Sequence, residues 1–156
     1  MPLDRSPDID FARIRPYGRP ASRSSAFEEL SSILIEQGVI EWPDGTLFSR
    51  FGNPDGGREG RGLLPNGDVW GWQSKFLFSF DAAAAGQVNA SFLRALDTEP
   101  NLTRYIVAFP IDLPAGDTET QESAFTRWTT KEAEWKAAAK EKAARSRSPS
   151  WARMNS

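Results

Sequence analysis

Glu59, Gln73 and Lys75 are the side chains of this 156-residue chain whose types and spacing could together do chemistry. They stand in "GGREG" (56–60) and "WGWQSKF" (70–76), on either side of an Asn66-Gly67 turn signal of the kind that folds one strand back on its neighbour. Successive strand residues alternate faces, so Gln73 and Lys75 share one, and antiparallel pairing brings Glu59 across to them. The Glu59 carboxylate, the Gln73 side-chain oxygen and the Ser74 backbone carbonyl form an oxygen donor set suited to a hard divalent cation, Mg²⁺ or Mn²⁺. Lys75 then lies beside the metal and a scissile phosphate. An unpaired ammonium between tryptophan-rich and phenylalanine-rich runs is costly. A neighbouring carboxylate and a polyanionic substrate balance it. Its work is to orient or activate water and to stabilise charge at phosphorus, beside the metal's Lewis acidity.

Composition removes several alternatives. The chain has no cysteine and no histidine, which excludes disulfide staples, thiolate or imidazole zinc sites and every catalytic triad with a histidine base. With 19 Lys plus Arg against 21 Asp plus Glu, the net charge of -2 exerts no global pull on nucleic acid, so any basic face must be local. The start "MPLDRSPDIDFARIRPYGRP" lacks an apolar leader region, and no stretch approaches roughly 18 uninterrupted apolar residues, so a cytoplasmic protein without membrane contact is expected. The "PDGGREGRG" loop lacks the Gly-Lys-Ser/Thr ending of a P-loop and opens no helix, which argues against a nucleotide site.

The elements that must position these residues can be read from periodicity. Residues 1–20, with four prolines, read as an extended arm whose Phe11, Ile14 and Tyr17 can dock. "SSAFEELSSILIEQG" reads as a helix with Phe27, Leu30 and Leu34 on one face, a Ser25/Glu28 capping box and Gly38 as its stop. "TLFSRF" (46–51) and the region around 59–64 read as short strands, and "DVWGWQSKFLFSF" as one long strand. Its Trp70, Trp72, Ser74, Phe76, Phe78 and Phe80 side is the candidate core face. A second helix follows in "DAAAAGQVNASFLRALDTEP", then a central apolar strand in "RYIVAFP". A charged, alanine-rich helix, "AFTRWTTKEAEWKAAAKEKAAR", offers Phe125, Trp128 and Trp135 as anchors. The expected organisation is an arm (1–20), one domain (21–144) and a fraying tail (145–156).

"GNPDGGREG" followed by "VWGWQSKF" resembles the PD-(D/E)xK nuclease superfamily, in its Mrr-like variant where an acid after a Gly-Gly pair is followed by a Gln-x-Lys strand. The resemblance covers roughly residues 24–114, taking in "FEEL", "GQVNASF" and "YIVAFPIDLP". It also looks like the nuclease effector domains at the N-termini of bacterial anti-phage STAND-type NTPases. It implies an α/β, restriction-endonuclease-like fold, a mixed central β-sheet flanked by helices. Carried residue by residue, Glu59 becomes the metal-binding acid, Gln73 the replacement for the family's second acid and Lys75 the catalytic lysine. Glu28 matches the additional acid that relatives place near the metal, and Asp55 is a weaker match. The acid at 59 is Glu where Mrr-like relatives more often carry Asp. The implied activity is Mg²⁺- or Mn²⁺-dependent hydrolysis of double-stranded DNA. The implied partners are sensor and NTPase domains of a larger defence protein, with activation by oligomerisation.

Structural roles compete with several of these assignments. Glu28 can serve its helix alone, and Asp55 and Asp68 sit in turn sequences. Trp70 and Trp72 suit core packing better than base stacking, because they share parity with Phe76 and Phe78. Arg58 and Arg61 flank Glu59 and are candidates for phosphate contact. Gln87 and Ser91, an i, i+4 pair, can face nucleic acid or solvent. The lysines of the last helix read as a solvated face. A nuclease-fold module that binds without cutting, and an interaction domain built on the last helix, remain the alternative functions.

Overall fold

The computed structural model describes residues 9–52 and 57–147. Helix α1 (Arg23–Leu34) is followed by strands β1 (Leu47–Arg50), β2 (Gly60–Leu63) and β3 (Val69–Ser74), helix α2 (Ala82–Thr98), strand β4 (Leu102–Ala108) and helix α3 (Ala124–Arg147). The strands form one mixed sheet in the order β1-β2-β3-β4. The first three pair antiparallel, and β4 runs parallel to β3 after the α2 crossover. A mixed α/β architecture with a four-stranded mixed sheet and three helices is therefore present.

The β2–β3 hairpin closes as its turn residues require. Gly67 takes φ +90°, the Asp68 N–H donates to the Asn66 side chain at 2.9 Å, and the Leu64 N–H donates to the Asp68 carbonyl at 2.8 Å. Asp68 is thus a turn residue. The long strand expected over 68–80 is not continuous, because β3 ends at Ser74. The Lys75 N–H still reaches the Ala108 carbonyl, but the Leu77 N–H then donates back to the Lys75 carbonyl at 2.8 Å, a tight turn that takes the Phe76–Phe80 segment off the sheet.

The expectation of a single core face on β3 also needs correction. As an inner strand it is buried on both sides: Trp72 is 0% exposed on one and Gln73 7% on the other. On the Trp72 side, the indole N–H donates to the Ser32 hydroxyl of α1 at 3.0 Å. That contact explains why α1 buries Ser32, while Leu34, expected inside, is 43% exposed. The N-cap of α1 is Ser22, whose hydroxyl accepts from the Ser25 N–H at 3.0 Å, so the Ser25/Glu28 box is absent. A π-helical turn over Ile35–Val39 carries the helix past Leu34. The Phe11 ring of the arm docks edge-on to Phe27 at 5.5 Å, whereas Tyr17 stays exposed.

The Gln73 side of the sheet is covered by α2 and α3. Phe80, Val88 and Phe92 meet Trp135 of α3 in one apolar cluster, with Tyr105 and Val107 of β4 beneath. Contacts between the helices advance together: Arg127 donates to the Phe80 carbonyl, Trp135 to Asn89 at 2.9 Å, and Lys142 to the Leu96 carbonyl. The two helices therefore run in the same direction. Trp128 and Trp135 anchor α3 as expected, but Phe125 is exposed, since it begins the helix on the outward side. The helix continues through Arg147, beyond the boundary expected at 144.

Glycines in β2 make room for the aromatic layer. A Cβ on Gly60 would lie 2.1 Å from the Trp72 ring, and one on Gly62 2.3 Å from Trp42. Gly86 of α2, by contrast, has no atom within 4 Å of its would-be Cβ. In urea unfolding, Gly60→Ala should lower stability by about 2 kcal/mol or more through overpacking. Gly86→Ala should raise it by about 0.5–1 kcal/mol through helix propensity. Equal shifts for the two variants would contradict this packing.

Candidate active site

The segment carrying Glu59 is held against α2 by a contact only glycine permits. Gly57 has φ +86°, and a Cβ there would fall 2.0 Å from the Ser91 carbonyl and 2.8 Å from the Ala95 nitrogen. The Tyr105 hydroxyl donates to the Gly57 carbonyl at 2.6 Å and ties the same loop to β4. From there the Glu59 N–H donates to the Trp72 carbonyl at 2.8 Å, extending the β2–β3 ladder by one residue. With Gly60 opposite Trp72, Glu59 comes opposite Gln73, and their side chains meet: Gln73 Nε2 donates to Glu59 Oε1 at 3.0 Å. The expected acid–amide pairing is therefore formed.

The other amide atom faces a different environment. Gln73 Oε1 is buried and has no hydrogen-bond partner, although Nε2 also approaches the Ser74 carbonyl at 3.4 Å. A buried amide oxygen left in this state costs on the order of 1–3 kcal/mol, which a bound donor or cation would recover. Gln73, Ser74 and Lys75 line a cleft of about 650 Å³ at the end of β3. One wall is the first turns of α1, where the Ser24 hydroxyl donates to Glu28 Oε1 at 3.3 Å. The opposite wall is α2, through Gln87, Ser91 and Arg94. Parallel β3 and β4 direct their C-terminal ends toward this region, the usual place for a ligand crevice in α/β sheets.

Of the residues singled out from the sequence, the cleft thus collects Glu28, Gln73, Ser74, Lys75, Gln87 and Ser91, while Glu59 does not line it and is connected to it through its hydrogen bond with Gln73. Arg58 and Arg61 are oriented elsewhere. Both bind Glu99 at the C-terminus of α2, at 2.6 and 2.9 Å, and Arg58 also donates to Thr98 at 2.9 Å and lies over the Phe51 ring at 4.4 Å. Glu99 is only 5% exposed, so the two guanidinium groups fasten the Glu59 loop to α2. Asp55 lies outside the described residues. Arg94 and Ser24 were not anticipated. Arg94 follows Ser91 by three positions and Gln87 by seven, so extending the Gln87/Ser91 helical face by one turn finds it.

The donor set is compatible with a hard divalent cation but poor in charge. Among the described residues no three Asp, Glu, His or Cys side chains form a metal-binding group. A cation here would depend on the Glu59 carboxylate together with neutral oxygens, the Gln73 amide and the Ser74 carbonyl, and on Glu28 from across the cleft. The unpartnered Gln73 Oε1 is the observation that fits it. No described helix is long and apolar enough to cross a membrane.

No protein-family model, curated protein or solved structure matches the chain.

Glu99 offers a test of how the loop is held. Removing one partner of a buried ionic cluster leaves uncompensated charge, so Glu99→Ala should destabilise the protein by about 3–5 kcal/mol. Thermal and urea unfolding would measure it, and a loss below about 1 kcal/mol, the range of exposed pairs, would mean the clamp is weak.

Proposed function

We propose that the chain is a Mg²⁺- or Mn²⁺-dependent endonuclease domain of the PD-(D/E)xK type, Mrr-like, with a restriction-endonuclease-like core, and that it hydrolyses phosphodiester bonds of double-stranded DNA. The observation that carries the proposal is the Glu59–Gln73 pair, made across adjacent strands, with a buried, unpartnered amide oxygen beside Ser74 and Lys75 in one cleft. The element order of one helix, three antiparallel strands, a crossover helix and a parallel strand supports it.

In this proposal the Glu59 carboxylate and the Gln73 and Ser74 oxygens hold the cation, and Glu28 completes or orients the set. A bound Mg²⁺ supplies Lewis acidity toward the phosphoryl oxygens. The Glu59–Gln73 hydrogen bond turns the amide nitrogen toward Glu59 and Ser74, so a cation shared by all three oxygens would require the amide to turn its oxygen to that side. Lys75 stands one residue past the strand end, on the cleft wall, where its backbone is still pinned to β4 through Ala108. Its ammonium orients the attacking water and balances charge that develops at phosphorus. Sensor and NTPase domains that cluster several copies, in a cytoplasmic anti-phage defence protein, remain the proposed partners. They suit a domain whose net negative charge gives weak DNA affinity by itself.

Plasmid cleavage in Mg²⁺ or Mn²⁺ tests the activity. Glu59→Ala and Lys75→Ala should each lower the rate by about 10²-fold or more. Retained cutting in both variants, with wild-type metal dependence, would remove the assignment. A second test needs no activity. Gln73→Glu places a second carboxylate against Glu59, so the variant should be less stable than wild type in EDTA. Mg²⁺ should restore it, by about 2.7 kcal/mol when the metal is at a hundredfold excess over its Kd. A Tm indifferent to Mg²⁺ would argue against a cation between these residues.

A further inference from the structure

We infer that Arg94 is the phosphate-binding residue of the cleft and that it holds a backbone phosphate next to the one at Lys75, so the site takes a polynucleotide strand and discriminates against an isolated phosphodiester. The inference rests on the nuclease proposal for the identity of the substrate. Its own support is the disposition of the arginines. Arg50 is bound to Glu29 and Glu36, and Arg58 and Arg61 share Glu99, so these three guanidinium groups are already engaged by carboxylates of the fold. Arg94 is exposed on the cleft wall and its side chain makes no hydrogen bond or ion pair among the described residues.

Arg94 Cβ lies 2.9 Å from the position a Cβ would occupy on Gly57, so the stem of the side chain starts beside the loop that carries Glu59. One turn back, Ser91 is buried against the same loop, and Gln87 continues the row. At 1.5 Å of helix rise per residue, Gln87 to Arg94 spans about 10 Å, which matches about three base-pair steps of rise along the axis of a duplex. Lys75 and Arg94 bring two positive charges to a cleft whose charged lining otherwise includes Glu28. Two separated cations suit successive phosphates better than one. Guanidinium geometry also suits two phosphate oxygens at once, so the contact fixes the register of the strand as well as adding affinity.

The test compares wild type, Arg94→Ala, Arg94→Lys and, on the far side of α3, Lys136→Ala. Activity is measured with Mn²⁺ on a DNA oligonucleotide duplex and on bis(p-nitrophenyl) phosphate, which has a single phosphate. Binding of the duplex in EDTA is followed by fluorescence anisotropy at several salt concentrations. Arg94→Ala should lower the ratio of kcat/KM on duplex to that on the small diester about tenfold, mainly through KM. It should also reduce the slope of log K against log salt by about 0.9, the value for one lost phosphate contact. Arg94→Lys should restore most of the slope, and Lys136→Ala should leave both quantities at the wild-type value. An equal loss on both substrates, or an unchanged salt slope, overturns the role of Arg94 and leaves the nuclease proposal standing. If wild type binds duplex with the expected slope change in Arg94→Ala yet never cuts, the nuclease proposal fails and the phosphate contact survives. Absence of both binding and cutting in wild type overturns both.

Discussion

The cleft depends on a steric constraint at one residue: the loop before β2 lies so close to α2 that position 57 has no space for a side chain. With the Ser91 carbonyl 2.0 Å from where a Cβ would be, the loop and the helix backbone are in direct contact. That contact determines where Glu59 emerges, and the ladder bond to Trp72 then aligns it with Gln73. The Arg58 and Arg61 bonds to Glu99 hold the loop one turn further along, at the C-terminus of α2. Acid, amide and helix wall are consequently parts of one packed unit.

The same strand satisfies two unlike demands. On one face of β3 the Trp72 ring lies over Gly60 and reaches Ser32 with its N–H; on the other, Gln73 replaces what would normally be an apolar residue under a helix. A polar amide is tolerated there because half of it is bonded to Glu59 and the remainder adjoins the cleft. A leucine at 73 would pack as well. It could offer nothing to a ligand.

Much of this was legible in the sequence, and the failures have identifiable causes. The order of helices and strands follows from periodicity and turn chemistry, since Asn66-Gly67 forms its turn between the strand that follows Glu59 and the strand that carries Gln73. The acid–amide pair was legible because a hairpin of known turn leaves little freedom in which residues face each other. The length of β3 was not. Alternation continues through Phe80, but a strand needs a partner, and β4 ends at Ala108. The buried face of α1 was misread because Ser32 lies inward to meet an indole, an interaction between residues 32 and 72 that no local pattern reports. Arg58 and Arg61 looked like phosphate ligands by their proximity to Glu59, and only the fold reveals the carboxylate at 99 that occupies them.

The two walls of the cleft differ in how they are attached. The α2 wall is fastened to the acid by the Gly57 contact and by the Glu99 cluster. The α1 wall joins the sheet chiefly through the aromatic layer around Trp72, Phe27 and Phe76, and through Arg50, which reaches from the edge strand to Glu29 and Glu36. The spacing of acid and amide is thus set by the loop, β3 and α2, whereas the position of Glu28 relative to them is set separately, by how α1 packs on the aromatic layer.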